Sequence, residues 1–429
     1  EDLPVYMADA FTVGRNPLPP KTLLSVQARQ LRSASSSKTE FLTVYSAVVL
    51  QYRERELLLP FVLSTQTLEY DITRRLQELV TDETRPVYVV VGNGRADDYS
   101  YVVPYLENLG FLPQLVPPSE LASLSALPLE AKNELVLLGT SALSSDDCAA
   151  IEALVKRGWP AFVATSPYTV AIEDDWTVTR SASDAALPML ASWGFGFESA
   201  ICEDIACFPL SLQSGEGSDA VYQRVNYPMW LSILPQRAAP NGATLFWLSP
   251  LVLYGDAQPL LVTTSAAWTQ QEAAGQTPFV VNPFLLAPTA REAGEASRTL
   301  IAAATVDGVI SGYYEAGQSR GRVSVVADQY ALSTLMTAYI SAEVPSDFRN
   351  FDLLATQLLE LRGDGALSAL LQKQNTHALY KLTDDEEALA ARRRLLALVL
   401  GVLPLTVIAM GGAVQLQRRR IQKKQKEGV

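Results

Sequence analysis

An α/β domain on a parallel sheet, with a small N-terminal α/β element before it and one C-terminal transmembrane helix after it, is the architecture this sequence of 429 residues predicts. Three observations carry that prediction. Between residues 87 and 165, short runs that are apolar on both faces alternate with amphipathic helical segments, as in a sheet covered on both sides. Two of these runs end in the glycine-containing turns Gly92-Asn93-Gly94 and Gly139-Thr140-Ser141. Near the C-terminus, the 22 residues 395–416 carry no charge.

In chain order, residues 1–40 have little pattern beyond Pro17, Pro19, Pro20 and a Ser-rich stretch at 33–37. Two β-rich runs, 41–51 and 57–63, flank the charged turn Arg53-Glu54-Arg55-Glu56 and predict a hairpin. Leu68, Ile72, Leu76 and Leu79 recur at helical spacing, so residues 1–80 form the N-terminal element. The main domain, 86–365, opens with a strand at 87–91, a helix at 99–109 and strands at 112–116 and 134–138. Ser144, three residues before Asp147, caps a helix that stops at Gly158, and a fourth strand follows at 161–165. A helix at 187–195 leads into a less regular stretch that extends to Ser249. Further strands are expected at 260–264, 279–286, 300–306, 309–314 and 322–327, and a last helix at 352–361. Residues 366–391 read as a connector, in which Thr383 and Glu386 form a capping box.

The uncharged run has the length of a bilayer span. At about 1.5 Å per residue a helix over 395–416 measures roughly 33 Å, against about 30 Å of hydrocarbon. Arg392, Arg393 and Arg394 precede it, and six Lys/Arg follow within the tail 417–429. The positive-inside rule places that tail in the cytoplasm and everything before the span on the periplasmic side of a bacterial inner membrane. Pro404 predicts a kink in mid-span. Ala397 with Gly401, and Ala409 with Ala413, are small enough to let a partner helix approach closely.

Charge and composition narrow the function. Of the formal −12, residues 392–429 contribute +8, which leaves −20 on the remainder. A surface of that sign repels phosphate backbones, so nucleic acid is not an expected partner. The single histidine, His377, lies in the connector, beyond the reach of any Ser-His-Asp or Cys-His arrangement in the core. One His and three scattered Cys cannot build a tetrahedral zinc site. Gly92-Asn93-Gly94 follows a strand but lacks the third Gly of a dinucleotide fingerprint and the Gly-Lys-Ser/Thr of a P-loop, so no cofactor is expected. Cys202 and Cys207 either close a small disulfide or stay as two buried thiols, with Cys148 free. The chain opens at Glu1 with neither signal peptide nor span, and an exported chain is expected to have had a targeting segment ahead of it.

A binding edge is still predicted. In an open parallel sheet the C-terminal strand ends face the crevice that takes ligands, and Asn93, Arg95, Asp97, Thr140, Ser141, Ser166 and Asp328 should collect there. Turn geometry alone also accounts for such residues. Tyr222, Tyr227, Trp230, Phe246 and Trp247 gather in the irregular stretch, as local core or as a carbohydrate platform or protein interface.

The order of these features resembles that of the auxiliary proteins of gliding-motility-type ABC transporters, the GldG family. The resemblance begins near residue 41. It runs through FVLSTQTLEYDITRRLQELV at 61–80, the strand and Gly-x-Gly turn at 87–94, the helix at 143–158 and Val225-Asn226-Tyr227-Pro228. It continues with Thr263-Thr264-Ser265 and Trp268, the strand at 323–328, the helix at 350–361 with Gly363-Asp364, and the Arg-bounded span. It implies a flavodoxin- or glutamine-amidotransferase-like α/β domain in an extracytoplasmic, membrane-anchored subunit that accompanies an ABC permease and a cytoplasmic ATPase. Relatives typically carry an N-terminal span as well, which this sequence does not show. Asn93 stands where the amidotransferase-like turn would have a His, and no nucleophilic Cys is paired with a His, so that chemistry is not implied. The expectation is a non-enzymatic subunit that couples to or senses the permease cycle. The alternative is a tethered module for cell-envelope glycan or another periplasmic ligand, which would use the strand-end crevice or Trp247.

Overall fold

The computed structural model describes residues 28–34, 39–45, 48–53, 55–59, 68–81, 85–128, 133–172, 175–181, 183–214, 221–271, 279–285, 296–334 and 349–373. All fall in the first of two compact units, Glu1–Gln374. The first residues of the predicted connector 366–391 are instead part of this unit and form a helix, Gly365–Gln372. Its remainder from 374, the predicted span 395–416 with Ala397, Gly401, Pro404, Ala409 and Ala413, and the basic tail lie outside the described residues. Among the described residues no helix is long and apolar enough to cross a membrane.

Two antiparallel hairpins come first, β1 (Ala28–Ala34) with β2 (Thr39–Tyr45) and β3 (Val48–Tyr52) with β4 (Arg55–Leu59). The second turns at Arg53, with φ 56°, as expected, but the expected first arm 41–51 is divided: residues 41–45 pair with β1, and only Val48–Tyr52 pair across the turn. The first was not expected, because β1 falls within the stretch that lacks a pattern. Helix α1 (Leu68–Thr81) buries Tyr70 and Leu79 but leaves Leu76 45% exposed, so its buried stripe is narrower than the leucine spacing suggests.

The alternation expected after residue 85 is present as β5 (Pro86–Val91), α2 (Val102–Asn108), β6 (Leu112–Leu115), α3 (Leu121–Leu124), β7 (Glu134–Leu138), α4 (Ser145–Lys156) and β8 (Ala161–Ala164). A 3₁₀ turn, Ala96–Tyr99, precedes α2. The Ser144 cap forms as predicted: its Oγ accepts from the Asp147 amide at 3.2 Å, and its own amide donates to the Asp147 carboxylate at 2.9 Å.

From β8 onward the chain is richer in antiparallel structure than the sequence suggests. It forms β9 (Tyr168–Ala171), β10 (Thr177–Arg180), α5 (Ala186–Ser192), β11 (Phe195–Phe197), β12 (Ala200–Glu203), β13 (Cys207–Ser214), β14 (Val221–Ile233) and β15 (Ala243–Phe246). Then come β16 (Leu251–Leu253), β17 (Gln258–Val262), β18 (Trp268–Gln271), β19 (Ile301–Ser311), β20 (Gln318–Val326), α6 (Arg349–Leu361) and α7 (Gly365–Gln372). The stretch before Ser249 thus holds strands β12 to β15. The two strands expected at 300–306 and 309–314 are the single strand β19. No strand forms at 279–285, where the chain turns.

Among the described residues the main sheet has nine strands in the order β11-β16-β19-β20-β8-β7-β5-β6, with β17 also on β19. The five from β20 to β6 are mutually parallel, while β19, β16, β17 and β11 extend the sheet antiparallel. The sheet is therefore mixed and mostly parallel at its centre. Numbered along the chain, the parallel strands run 2-1-3-4-5, which puts the topological switch between β5 and β7. Helix α4 packs with α3 and α5, whereas α6 packs on α2, β8 and β20, and α7 on α1. Crossovers leaving β5 in opposite directions place their helices in separate layers, and the strands between are buried on both faces. A second, smaller core of Tyr168, Ile201, Tyr227, Trp230, Phe246 and Trp247, among others, fills the space between the antiparallel ribbons.

Candidate functional site

The switch between β5 and β7 is where a sheet of this order offers its ligand crevice, and two glycines shape it. Gly92 ends β5 and Gly139 ends β7, with the Gly92 amide donating to Leu138 O at 3.0 Å and the Gly139 amide to Ala164 O at 2.8 Å. A Cβ on Gly92 would lie 2.6 Å from Gly139 O, and one on Gly139, at φ +63°, would lie 2.5 Å from Asn93 Nδ2. The two turns touch, so only glycine fits at either position.

Asn93 occupies the gap. Its Nδ2 donates to Tyr99 Oη at 3.0 Å and to Gln329 Oε1 at 3.3 Å, and its Oδ1 accepts the Arg95 amide at 3.1 Å. Tyr99 in turn donates to the Gln329 carbonyl at 2.8 Å, and Gln329 Nε2 donates to Tyr168 O at 2.6 Å and Thr169 Oγ1 at 3.1 Å. Burial pushes the Tyr99 phenol well above its ordinary range, which keeps it a neutral donor. A continuous hydrogen-bonded chain thus links the ends of β5 and β20 to the start of β9.

A second chain crosses the ends of β7 and β8. The hydroxyls of Thr140 and Thr165 share a hydrogen bond at 2.7 Å, and Thr140 donates to Asp184 Oδ2 at 2.8 Å. Asp184 also accepts the Ala186 amide at 2.9 Å and so fixes the start of α5. Its carboxyl is raised above the usual range by burial, against the pull of these donors. Ser166 Oγ accepts the Tyr168 amide at 3.2 Å.

Asp328, at the end of β20, is wholly buried. It accepts the Phe246 amide at 2.8 Å and the Tyr330 amide at 2.6 Å, tying the parallel sheet to β15. Desolvation pushes its carboxyl up to about 7 despite those donors. Tyr330, pushed up to about 12 by burial, accepts the Val170 amide at 2.8 Å.

The strand-end rule therefore collects Asn93, Thr140, Ser166 and Asp328 at one edge. Ser141 is half-buried there, while Arg95 and Asp97 lie on the exposed rim. Sequence reasoning passed over Tyr99, Asp184 and Gln329. Gln329 adjoins Asp328, and a longer reading of that turn would have included it. Trp247 is elsewhere: 2% exposed, it donates from Nε1 to Tyr227 Oη at 2.7 Å and packs edge-on against Tyr330 at 4.9 Å. Tyr227, Trp230 and Phe246 are equally buried, so these aromatic faces form core. Cys148, Cys202 and Cys207 are free thiols, all raised by burial, Cys207 to about 11. Among the described residues no cluster of His, Cys, Asp and Glu could hold a metal.

This edge holds its own side chains in mutual contact, and the chain's relationships give the context. Residues 84–355, from the start of β5 into α6, match the family described as "ABC-type uncharacterized transport system". The chain belongs to this family of ABC transporter auxiliary proteins. The matched region of the auxiliary protein contains the whole main sheet and every residue of the strand-end network. No curated protein matches the chain. Among solved structures it is similar to the crystal structure of a putative GMP synthase component from Thermoplasma acidophilum, 12% identical over 66% of this chain and 96% of that one. The TM-score is 0.26, too low for the likeness to carry an argument about this auxiliary protein.

Proposed function

We propose that this ABC transporter auxiliary protein is a non-enzymatic subunit of gliding-motility type. Its α/β domain would stand on the periplasmic side of a bacterial inner membrane, held by a helix over 395–416 with the tail in the cytoplasm. Family membership supports the transport role, and one structural observation supports the non-enzymatic part. At the switch point, where a sheet of this order takes a substrate, Asn93 fills the gap against Gly139 and is held by Tyr99 and Gln329. A ligand would have to break the two part-buried hydrogen bonds of Asn93, and with them disturb the buried bond from Tyr99 to the Gln329 carbonyl, to enter.

The domain then acts by making different contacts with a permease in two states of its cycle, with energy supplied by the partner ATPase. The small residues Ala397, Gly401, Ala409 and Ala413 form the contact stripe on the span, and Pro404 sets its bend. Affinity purification of the full chain in mild detergent should recover a permease and an ATPase, and Gly401→Leu should reduce that recovery several-fold. Recovery of the chain alone, from membranes in which the transporter stays assembled, would overturn this reading. Binding of cell-envelope glycan has less support, because the Trp247 cluster is buried.

A further inference from the structure

The opposite edge of the sheet, where β5 and β6 begin, holds an open cavity of about 320 Å³ between α1, the end of α2 and the α6–α7 turn. Four arginines line it: Arg74, Arg75, Arg85 and Arg362. In a domain that carries the acidic balance of the chain, such a concentration of guanidinium groups is unusual. Three of the four are engaged. Arg75 pairs with Glu78 at 2.9 Å, Arg85 with Asp364 at 3.2 Å, and Arg362 with the buried Glu134 at 2.6 Å.

Arg74 is different. Among the described residues no carboxylate or hydrogen-bond acceptor lies within bonding distance of its guanidinium, although the group is largely withdrawn from solvent and its pKa is lowered mainly for that reason. It lies over Gly110, where a Cβ would come within 1.6 Å of Nη1, so the close approach depends on that glycine. Tyr70 beside it offers no counter-charge, because burial pushes its phenol up to about 12 and the hydroxyl donates to Leu109 O at 3.3 Å. A guanidinium with five donors and no partner among the described residues, inside a cavity, is a recognition element for a planar oxyanion.

The surroundings narrow the ligand. The other three arginines are neutralised by their own carboxylates, which leaves the charge of Arg74, and Glu107 on the rim offsets that charge in the local sum, so a dianion is disfavoured. Phe111, Leu112 and Leu367 supply an apolar wall beside the charge. We propose that this cavity binds a small organic monocarboxylate, with the carboxylate on Arg74 and the apolar body against Phe111 and Leu367. The proposal goes beyond the transport role and stands independently of whether a permease is recovered.

Isothermal titration of the full chain in detergent with sodium benzoate, and in parallel with inorganic phosphate, tests it. Saturable benzoate binding is expected, tighter than phosphate, weakened at least tenfold in Arg74→Gln and partly retained in Arg74→Lys. Glu107→Gln, which removes the competing carboxylate without touching Arg74, should tighten benzoate binding several-fold and keeps the test open if Arg74→Gln fails to fold. The proposal is overturned if benzoate does not saturate, if Arg74→Gln binds it normally while melting like the native protein, if phosphate binds more tightly, or if Glu107→Gln leaves the affinity unchanged.

Discussion

Arg362 and Glu134 form a two-pronged ion pair, Nε to Oε1 and Nη2 to Oε2, each at 2.6 Å, that fastens the end of α6 to the start of β7. Glu134 is 2% exposed, and Arg362 also stacks over Phe111 with its Cζ 4.8 Å from the ring centre. Removing one partner leaves the other charge buried. Glu134→Ala or Arg362→Ala should each cost about 3–5 kcal/mol in denaturant unfolding. The pair Glu134→Leu with Arg362→Met should cost much less than the sum. Additive losses would show that the two charges are independently solvated.

Asp328 should make stability depend on pH in an uncommon direction. Its carboxyl ionises near 4 in the unfolded chain but is pushed up to about 7 in the folded one. A raised folded value means that the contribution is fully present below about pH 4 and is lost as the pH rises through about 7. At about 1.4 kcal/mol per unit, this amounts to about 4 kcal/mol at most. Asn at 328 does not titrate. The unfolding free energy of the native protein minus that of Asp328→Asn should therefore fall between pH 4.5 and 8, and a flat difference would contradict the assignment.

Glu152 on α4 is completely buried and receives three consecutive amides of the β19–β20 turn: Tyr313 at 2.6 Å, Tyr314 at 2.8 Å and Glu315 at 2.7 Å. Glu152→Ala strands those donors and should cost about 2–4 kcal/mol. Glu152→Gln keeps one acceptor oxygen and should cost less. Hydrogen exchange at residues 313–315 should accelerate ahead of the rest of the sheet; exchange that rises uniformly would count against a local role.

Gly139→Ala should destabilise by about 1–3 kcal/mol, because it combines a left-handed backbone with overlap onto Asn93. In an Asn93→Gly background the overlap disappears and only the backbone penalty, about 1 kcal/mol, should remain. Equal costs in the two backgrounds, read from thermal melts, would show that the turns do not couple.

Sequence alone reveals the β5–β8 region because its signals are local. Val87 to Val91 and Glu134 to Leu138 are short runs buried on both faces, and Ser144 with Asp147 marks a helix start within four residues. The antiparallel region gives no comparable signal. Strand β14 reads VYQRVNYPMWLSI, with Pro228 inside it and no clean alternation, because its two ends pair with different partners, β13 and β15. Phe279 and Val281 look like a strand but lie outside any strand, with the Phe279 ring edge-on against Tyr168 and the Val281 carbonyl accepting the Tyr227 hydroxyl at 2.6 Å. The strand-end residues were predictable because position in an open sheet fixes them. The arginine cavity was not, since Arg74, Gly110 and Arg362 meet only after α1, α2 and α6 have docked.

Strand β20 enters the sheet beside β8 with Val323 opposite Ala161 and Val326 opposite Ala164, although more than 150 residues separate the pair along the chain. As the polypeptide leaves the ribosome, β8 therefore waits as an open, wholly apolar edge until residue 326 has been made. A ribosome-bound fragment that stops before β20 should be the form most prone to join a neighbour through that edge. The order in which the chain is synthesised thus makes the last parallel strand the gate to a soluble domain.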